Sequence, residues 1–71
     1  MANEKATGVV KFFNTMKGYG FILRNGSPDL LFDEQEVAGR GPLRAGEHVT
    51  FIEARGHGPR PFARQVSRAV P

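Results

Sequence analysis

Short segments rich in β-branched and aromatic residues alternate with turns of glycine, proline and asparagine along this chain of 71 residues. Such segments favour strands, and the Asn-Gly pair at 25–26 is a strong signal for a hairpin turn. Strands are predicted at residues 7–13, 19–24, 30–33, 48–54 and 62–70. Because no stretch of helical length carries an apolar repeat of about 3.6 residues, the chain is predicted to be all-β.

Five short strands in so small a chain suit a closed or nearly closed barrel, because closure removes exposed sheet edges. The length of 71 residues indicates one domain, near the lower limit for a self-sufficient core. No linker or internal repeat divides the sequence. We therefore expect residues 1–6 to be frayed and residues 7–71 to form a single domain.

The composition excludes several classes of site. There is no cysteine, which rules out disulfides and zinc bound by thiolates. His48 and His57 lack partners at metal-ligand spacing and are expected to face solvent. No segment resembles a signal peptide, and the apolar runs are far shorter than the ~20 residues of a membrane helix. We therefore expect a cytoplasmic protein without a metal or other cofactor.

The charge is basic overall but unevenly distributed. The formal net charge is +3 and the isoelectric point is about 10.0, which favours a polyanionic partner. Basic residues prevail up to residue 24 and again from residue 40 onwards. Between them lies an acidic block without a basic residue, formed by Asp29, Asp33, Glu34 and Glu36.

The most informative motif is KGYGFI at residues 17–22. Side chains alternate across a strand, so Tyr19 and Phe21 share one face and Ile22 lies on the other. Ile22 suits a barrel interior, which directs both rings outwards as a platform for stacked bases, with Lys17 beside them for a phosphate. In the alternative interpretation one ring belongs to the core and the glycines only mark a bend.

A second aromatic pair precedes this motif. In the KFFN segment at residues 11–14, one phenylalanine is expected in the core. The other extends the platform from the neighbouring strand, with Lys11 alongside. The pattern by itself does not decide which of Phe12 and Phe13 has which role.

These motifs resemble a known family. TGVVKFFN at 7–14 and KGYGFI at 17–22 resemble the opening of a bacterial cold-shock protein, which reads T-G-x-V-K-W-F-N and then K-G-F/Y-G-F-I. Residues 45–51 resemble the family's E-G-Q-x-V-x-F. Residues 60–66 resemble its R-G-P-x-A-x-N-V, with the first glycine missing and Gln65 in place of the asparagine. The resemblance implies a five-stranded antiparallel OB-fold barrel that binds single-stranded DNA and RNA by aromatic stacking, often as an RNA chaperone. Together with strand alternation it predicts an interior formed by Val10, Ile22, Leu30, Phe32, Val49 and Val66.

The sequence also departs from the family pattern. The second ribonucleoprotein motif, V-F-V-H-F in the family, reads LLFDE here, so Leu31, Asp33 and Glu34 replace Phe, His and Phe on the binding face. Phe12 replaces a tryptophan. Phe62 stands where the family usually has a polar residue, and it either restores one ring or caps the barrel end. Half of the binding surface is thus expected to be intact, and half eroded and acidic.

The resemblance and the motifs together predict a set of nucleic-acid-binding residues. Arg60 is included because it aligns with a basic position that precedes the family's proline. The other arginines from residue 40 onwards are expected to be solvated surface charges: Arg40, Arg44, Arg55, Arg64 and Arg68. The complete predicted set is Lys11, Phe12, Lys17, Tyr19, Phe21, Leu31, Arg60 and Phe62.

Two functions remain open at this point. The first is a module that binds single-stranded RNA or DNA, as an RNA chaperone or a cold-shock-type regulator of transcription or translation. The second is a degenerate cold-shock fold that acts mainly in protein interaction or regulation and binds nucleic acid weakly. The sign of the potential over Tyr19 and Phe21 distinguishes them. Without a nucleophile–base pair no catalytic residue is predicted, and we expect a monomer with no membrane or small-molecule partner.

Overall fold

The computed structural model describes residues 5–39, 42–56, 58 and 60–69. Its five strands form a closed barrel in the order β1-β2-β3-β5-β4, with β4 returning to pair with β1. The predicted five-stranded all-β barrel is thereby confirmed. The strands are β1 (Ala6–Asn14), β2 (Tyr19–Arg24), β3 (Ser27–Asp33), β4 (His48–Arg55) and β5 (Pro61–Arg68), with a single 3₁₀ turn (Glu34–Glu36) after β3.

One pairing differs from the predicted antiparallel arrangement. The β3–β5 pair that completes the barrel is parallel, whereas the other neighbouring strands are antiparallel. A parallel pair needs a long connection, and the segment from the 3₁₀ turn through β4 supplies it. The sequence pattern contained no signal for this direction, because strand alternation is the same in both cases.

Two strand boundaries also differ from the prediction by more than one residue. β3 begins at Ser27 rather than at residue 30, because the turn is confined to Asn25 and Gly26, with Gly26 at a φ of 72°. Pro28 therefore lies inside a strand, next to an irregularity in the β2–β3 register, where a residue without an N–H is tolerated. β5 ends at Arg68. Residues 1–4, Arg40, His57 and Val70 lie outside the described residues, while His48 is exposed as expected.

The six residues predicted to fill the barrel are all buried. Three others join them. Phe51 follows the alternation of β4 from Val49, whereas Ala63 lies three residues before Val66, across an irregularity in β5. Leu43 lies in a connecting segment without periodicity. Phe13 packs against this core, with its ring parallel to that of Phe32 at a centroid distance of 5.6 Å. Alternation therefore located the core within regular stretches of strand, but it could not reach Ala63 beyond an irregularity or the loop residue Leu43.

An extra residue in β1 decides which side of the barrel each phenylalanine occupies. Strict alternation from the buried Val10 would place Phe12 inside and Phe13 outside. Val10 and Phe12 instead lie opposite consecutive residues of β2, so Lys11 is a bulged residue without its own partner. The bulge shifts the alternation by one position. As a result Phe12 lies opposite Phe21 on the outer surface, and Phe13 turns towards the core.

A further irregularity interrupts the β4–β5 pairing between Thr50 and Ile52. On the β5 side of this irregularity, Gln65 has a backbone φ of 53°, in the left-handed region that residues other than glycine rarely adopt. Its backbone N–H donates to Oε1 of Glu36 at 3.3 Å. Asparagine, which the cold-shock pattern has at this position, tolerates the left-handed conformation better than glutamine does.

The close approach of β1 and β2 leads to a stability prediction for Gly20→Ala. A Cβ at this position would overlap the Phe12 carbonyl oxygen and lie 2.8 Å from Cζ of the buried Phe32. Overpacking of this kind costs about 1–3 kcal/mol, so we expect the free energy of unfolding in urea to fall by that amount. Gly58→Ala is the matched control, because a Cβ there meets no atom within 4 Å. Equal stability of the two variants would contradict this account of the β1–β2 contact.

Candidate nucleic-acid interface

A row of apolar side chains crosses four neighbouring strands on the outer surface of the barrel. Phe12 is the register partner of Phe21, Phe21 of Leu31, and Leu31 of Phe62. Because neighbouring strands lie about 4.8 Å apart, the four side chains are consecutive across the sheet. Phe12 and Leu31 are 39% and 43% exposed, and Phe21 and Phe62 are half-buried. We call these four residues the apolar row.

Tyr19 joins two members of the row to form a cluster of three rings. Its ring centroid lies 6.2 Å from those of Phe12 and Phe21, which are themselves 5.5 Å apart. The ring planes meet at 48–88°, so these rings do not stack face to face on one another. Tyr19 and Phe21 are both half-buried on the outer surface, as the first interpretation of the KGYGFI motif predicts, while Gly20 and Ile22 are buried.

Phe62 lies at the far end of the apolar row. It follows Pro61 at the start of β5, opposite Leu31 of β3 on one side and Ala54 of β4 on the other. A Cβ built on Gly56 would lie 3.3 Å from Cε1 of the Phe62 ring, so the ring also covers the start of the β4–β5 connection. Phe62 thus lies at the edge of the apolar row and also beside the β4–β5 connection, a position that fits both alternatives left open for it.

The predicted cations differ in what they contact. Lys11 Nζ lies 3.0 Å from Oδ2 of Asp29, so its charge is offset by a carboxylate on β3. Lys17 and Arg60 are exposed and make no ion pair within the described part of the chain. The structure thus separates one paired lysine from two cations that are available to a phosphate.

Two arginines outside the predicted set, Arg24 and Arg68, form ion pairs within the barrel. Arg24 Nη1 lies 2.9 Å from Oε1 of Glu53, and only 14% of the Arg24 side chain is exposed. Arg68 Nε donates to Oε1 of Glu47 at 2.8 Å. Both ion pairs connect elements that are distant in sequence, so these arginines hold the structure together rather than standing free at its surface.

Asn14 organises the turn that holds Lys17 beside the rings. Its Oδ1 accepts the backbone N–H groups of Met16 and Lys17, both at 3.0 Å. Its carbonyl oxygen accepts the N–H of Gly18, which has a φ of 76°. β2 begins directly afterwards at Tyr19. These residues connect the predicted strands 7–13 and 19–24, and an asparagine at the start of such a connection is a recognisable signal for this side-chain geometry.

The acidic end of β3 lies next to the rings. Asp33 is exposed and is the register partner of Tyr19. Its Oδ1 accepts the N–H of Gln35 at 3.4 Å and thereby caps the 3₁₀ turn. The backbone N–H of Glu34 donates to the Gly18 carbonyl oxygen, and the Glu34 side chain lies against Gly18. Both carboxylates are thus beside the platform, and the capping role of Asp33 is a structural reason for its presence that the sequence analysis missed.

Comparison with known proteins decides the family. The sequence profile of the 'Cold-shock' DNA-binding domain matches residues 6–69. The chain belongs to the cold-shock domain family. This match confirms the predicted family and, with it, a single-stranded nucleic-acid-binding function of the cold-shock type.

Curated proteins similar to this cold-shock domain include three from different bacteria. Cold shock protein CapB of Pseudomonas syringae pv. tomato is 38% identical over 56 residues, covering 76% of this chain and 81% of that protein. Cold shock-like protein CspA of Bordetella pertussis is 45% identical over 53 residues, covering 70% and 79%. Cold shock-like protein CspA of Stigmatella aurantiaca is 36% identical over 69 residues, covering 93% and 98%.

Two further classes of site were considered for this cold-shock domain. Among the described residues, no group of three or more histidine, cysteine, aspartate or glutamate side chains could hold a metal ion. In the same part of the chain, no helix is long and apolar enough to cross a membrane. The three rings and the apolar row on the outer surface form the candidate nucleic-acid interface of this domain.

Proposed function

We propose that this cold-shock domain binds single-stranded RNA or DNA by stacking bases on the rings of Phe12, Tyr19 and Phe21. The main support for this proposal is the cluster of these rings on the outer surface, with centroids 5.5–6.2 Å apart. Every base has a π-face, so such a platform accepts bases with little regard to sequence. The resulting activity is that of an RNA chaperone or a regulator of transcription or translation, not that of an enzyme.

The other predicted residues extend this platform. Leu31 and Phe62 continue the apolar row, so a single nucleic-acid strand that runs across β1, β2, β3 and β5 contacts an apolar side chain on each of them. Lys17 and Arg60 are exposed cations suited to phosphate contacts, which position a strand without reading its sequence. We further propose that the protein acts in the cytoplasm as a monomer and needs no cofactor or small-molecule substrate.

The stacking role is tested by Tyr19→Ala and Phe21→Ala in titrations with a fluorescent oligo-dT. Loss of stacking is worth about 1–3 kcal/mol per base, so each variant should bind about 5- to 150-fold more weakly. Leu23→Ala is the matched control, because Leu23 is an exposed residue of β2 that lies outside the apolar row. Unchanged affinity of both ring variants, with folding verified by urea unfolding, would refute the platform.

The phosphate role of Lys17 is tested through the salt dependence of the same titration. Each phosphate contact contributes about 0.7 to the slope of log K against log salt concentration for single strands, so Lys17→Ala should flatten the slope by about that amount. Lys11→Ala should flatten it less, because Lys11 must leave its 3.0 Å ion pair with Asp29 before it reaches a phosphate. Lys5→Ala, before the start of β1, should leave the slope unchanged. Equal slopes for the Lys17 and Lys5 variants would argue against the assignment.

We propose that the carboxylates at the end of β3 make binding weaker than the family's motif would allow. The double change Asp33→His with Glu34→Phe restores two stacking groups and should tighten oligo-dT binding at least about tenfold, since each is worth ~1–3 kcal/mol. Asp33→Asn with Glu34→Gln removes only a repulsion of about 1 kcal/mol per charge at 4 Å in water. The Asn/Gln double variant should therefore gain less affinity for oligo-dT than the His/Phe variant. That gain should diminish as added salt screens the charges.

The two double variants also test whether the nucleic acid passes the end of β3. If neither binds oligo-dT more tightly, the end of β3 lies outside the path of the nucleic acid. Asn at position 33 retains the side-chain oxygen that caps the 3₁₀ turn, whereas His does not. The variant with Asp33→Asn and Glu34→Gln is therefore also the control for loss of the cap.

A further inference from the structure

A carboxylate and an aromatic ring stand side by side at the end of the platform. Tyr19 of β2 and Asp33 of β3 are antiparallel register partners. Side chains at such positions lie on the same face, with Cβ atoms about 4.5–5.5 Å apart. If a base stacks on the ring cluster beside Tyr19, one edge of that base therefore comes within reach of the Asp33 carboxylate.

The Asp33 carboxylate is held in place and remains open on one side. Oδ1 is engaged by the N–H of Gln35 at 3.4 Å, which limits rotation of the side chain. Within the described residues, Oδ2 makes no hydrogen bond and no cation pairs with the carboxylate. Glu34 differs, because its side chain lies against Gly18 in the preceding turn.

The four bases offer very different edges to a carboxylate, which only accepts hydrogen bonds. Bases of a single strand present their Watson–Crick edges freely. Guanine has two adjacent donors there, N1–H and the N2 amino group, which match two carboxylate oxygens. Thymine and uracil place one N–H between two carbonyl oxygens, which the carboxylate repels. Adenine and cytosine present one amino group beside an acceptor nitrogen.

We propose that Asp33 selects guanine among the bases that stack at the Tyr19 end of the platform. This inference rests on the proposed function and adds a base preference to it. At the position where the family pattern has a stacking histidine, the chain has exchanged stacking area for a hydrogen-bond acceptor. The same carboxylate that weakens binding of oligo-dT therefore favours a strand that carries guanine.

The probes are DNA strands of about eight nucleotides, within the ~4–16 that one OB fold covers. The reference is oligo-dT, and in three others a single central thymine is replaced by guanine, by hypoxanthine (inosine) or by adenine. A bidentate contact with a base discriminates by at least about fivefold, so the guanine strand should bind that much more tightly than oligo-dT. The inosine strand, which lacks the N2 amino group, should fall between them.

Two variants separate base selection from general charge. Asp33→Asn keeps the shape and the capping oxygen but replaces one acceptor by a donor, so the preference for guanine over thymine should fall to within about twofold. Glu34→Gln removes the same charge at the next residue. It should tighten binding of all four strands by a similar factor and leave their ratios unchanged.

Each outcome has a defined meaning. Equal affinity of the parent protein for all four strands, or a guanine preference that survives Asp33→Asn, overturns the role of Asp33 and leaves the proposed stacking function intact. Absence of binding to every strand overturns the proposed function and this inference with it. A guanine preference that disappears in Asp33→Asn and persists in Glu34→Gln supports the inference.

Discussion

The irregular pairing of β1 with β2 at Lys11 is the constraint on which both sides of the barrel depend. The extra residue directs Phe13 inwards, where it lies parallel to Phe32, and Phe12 outwards, opposite Phe21. A regular strand would have buried Phe12 and exposed Phe13, because a shift of one residue exchanges the two faces of a strand. The core and the ring cluster are thus two consequences of one bulge.

The close contact at Gly20 accompanies this bulge. Gly20 lies opposite Phe13, and a side chain there would overlap the β1 backbone and the ring of Phe32. Gly20 therefore allows β1 and β2 to approach, while Tyr19 and Phe21 on either side of it face outwards. Glycine next to exposed aromatic residues is consistent with a binding surface built on a tightly packed barrel wall.

Charge modifies this surface more weakly than shape does. Stacking contributes about 1–3 kcal/mol per base, whereas repulsion between exposed charges is about 1 kcal/mol at 4 Å in water and is screened by salt. Lys11 is already offset by Asp29, and Asp33 adds a carboxylate beside Tyr19. Under the proposed function, the rings therefore supply most of the affinity, and the carboxylates at the end of β3 adjust which nucleic-acid strands and bases bind there.

The sequence by itself determined the strand segments, the buried alternating positions and the family, because these follow from periodicities of two residues and from contiguous motifs. The family resemblance pointed to Phe12 as the outward ring, but only the tertiary structure shows the bulge at Lys11 that turns it outwards, since a bulge is invisible to alternation. The tertiary structure also decided that Leu31 and Phe62 lie side by side, through a parallel pairing between strands far apart in the chain. The pairing of Lys11 with Asp29, 18 residues away, depended on it too. Contacts of this kind arise when strands close into a barrel, and local sequence does not encode which distant residues will then meet.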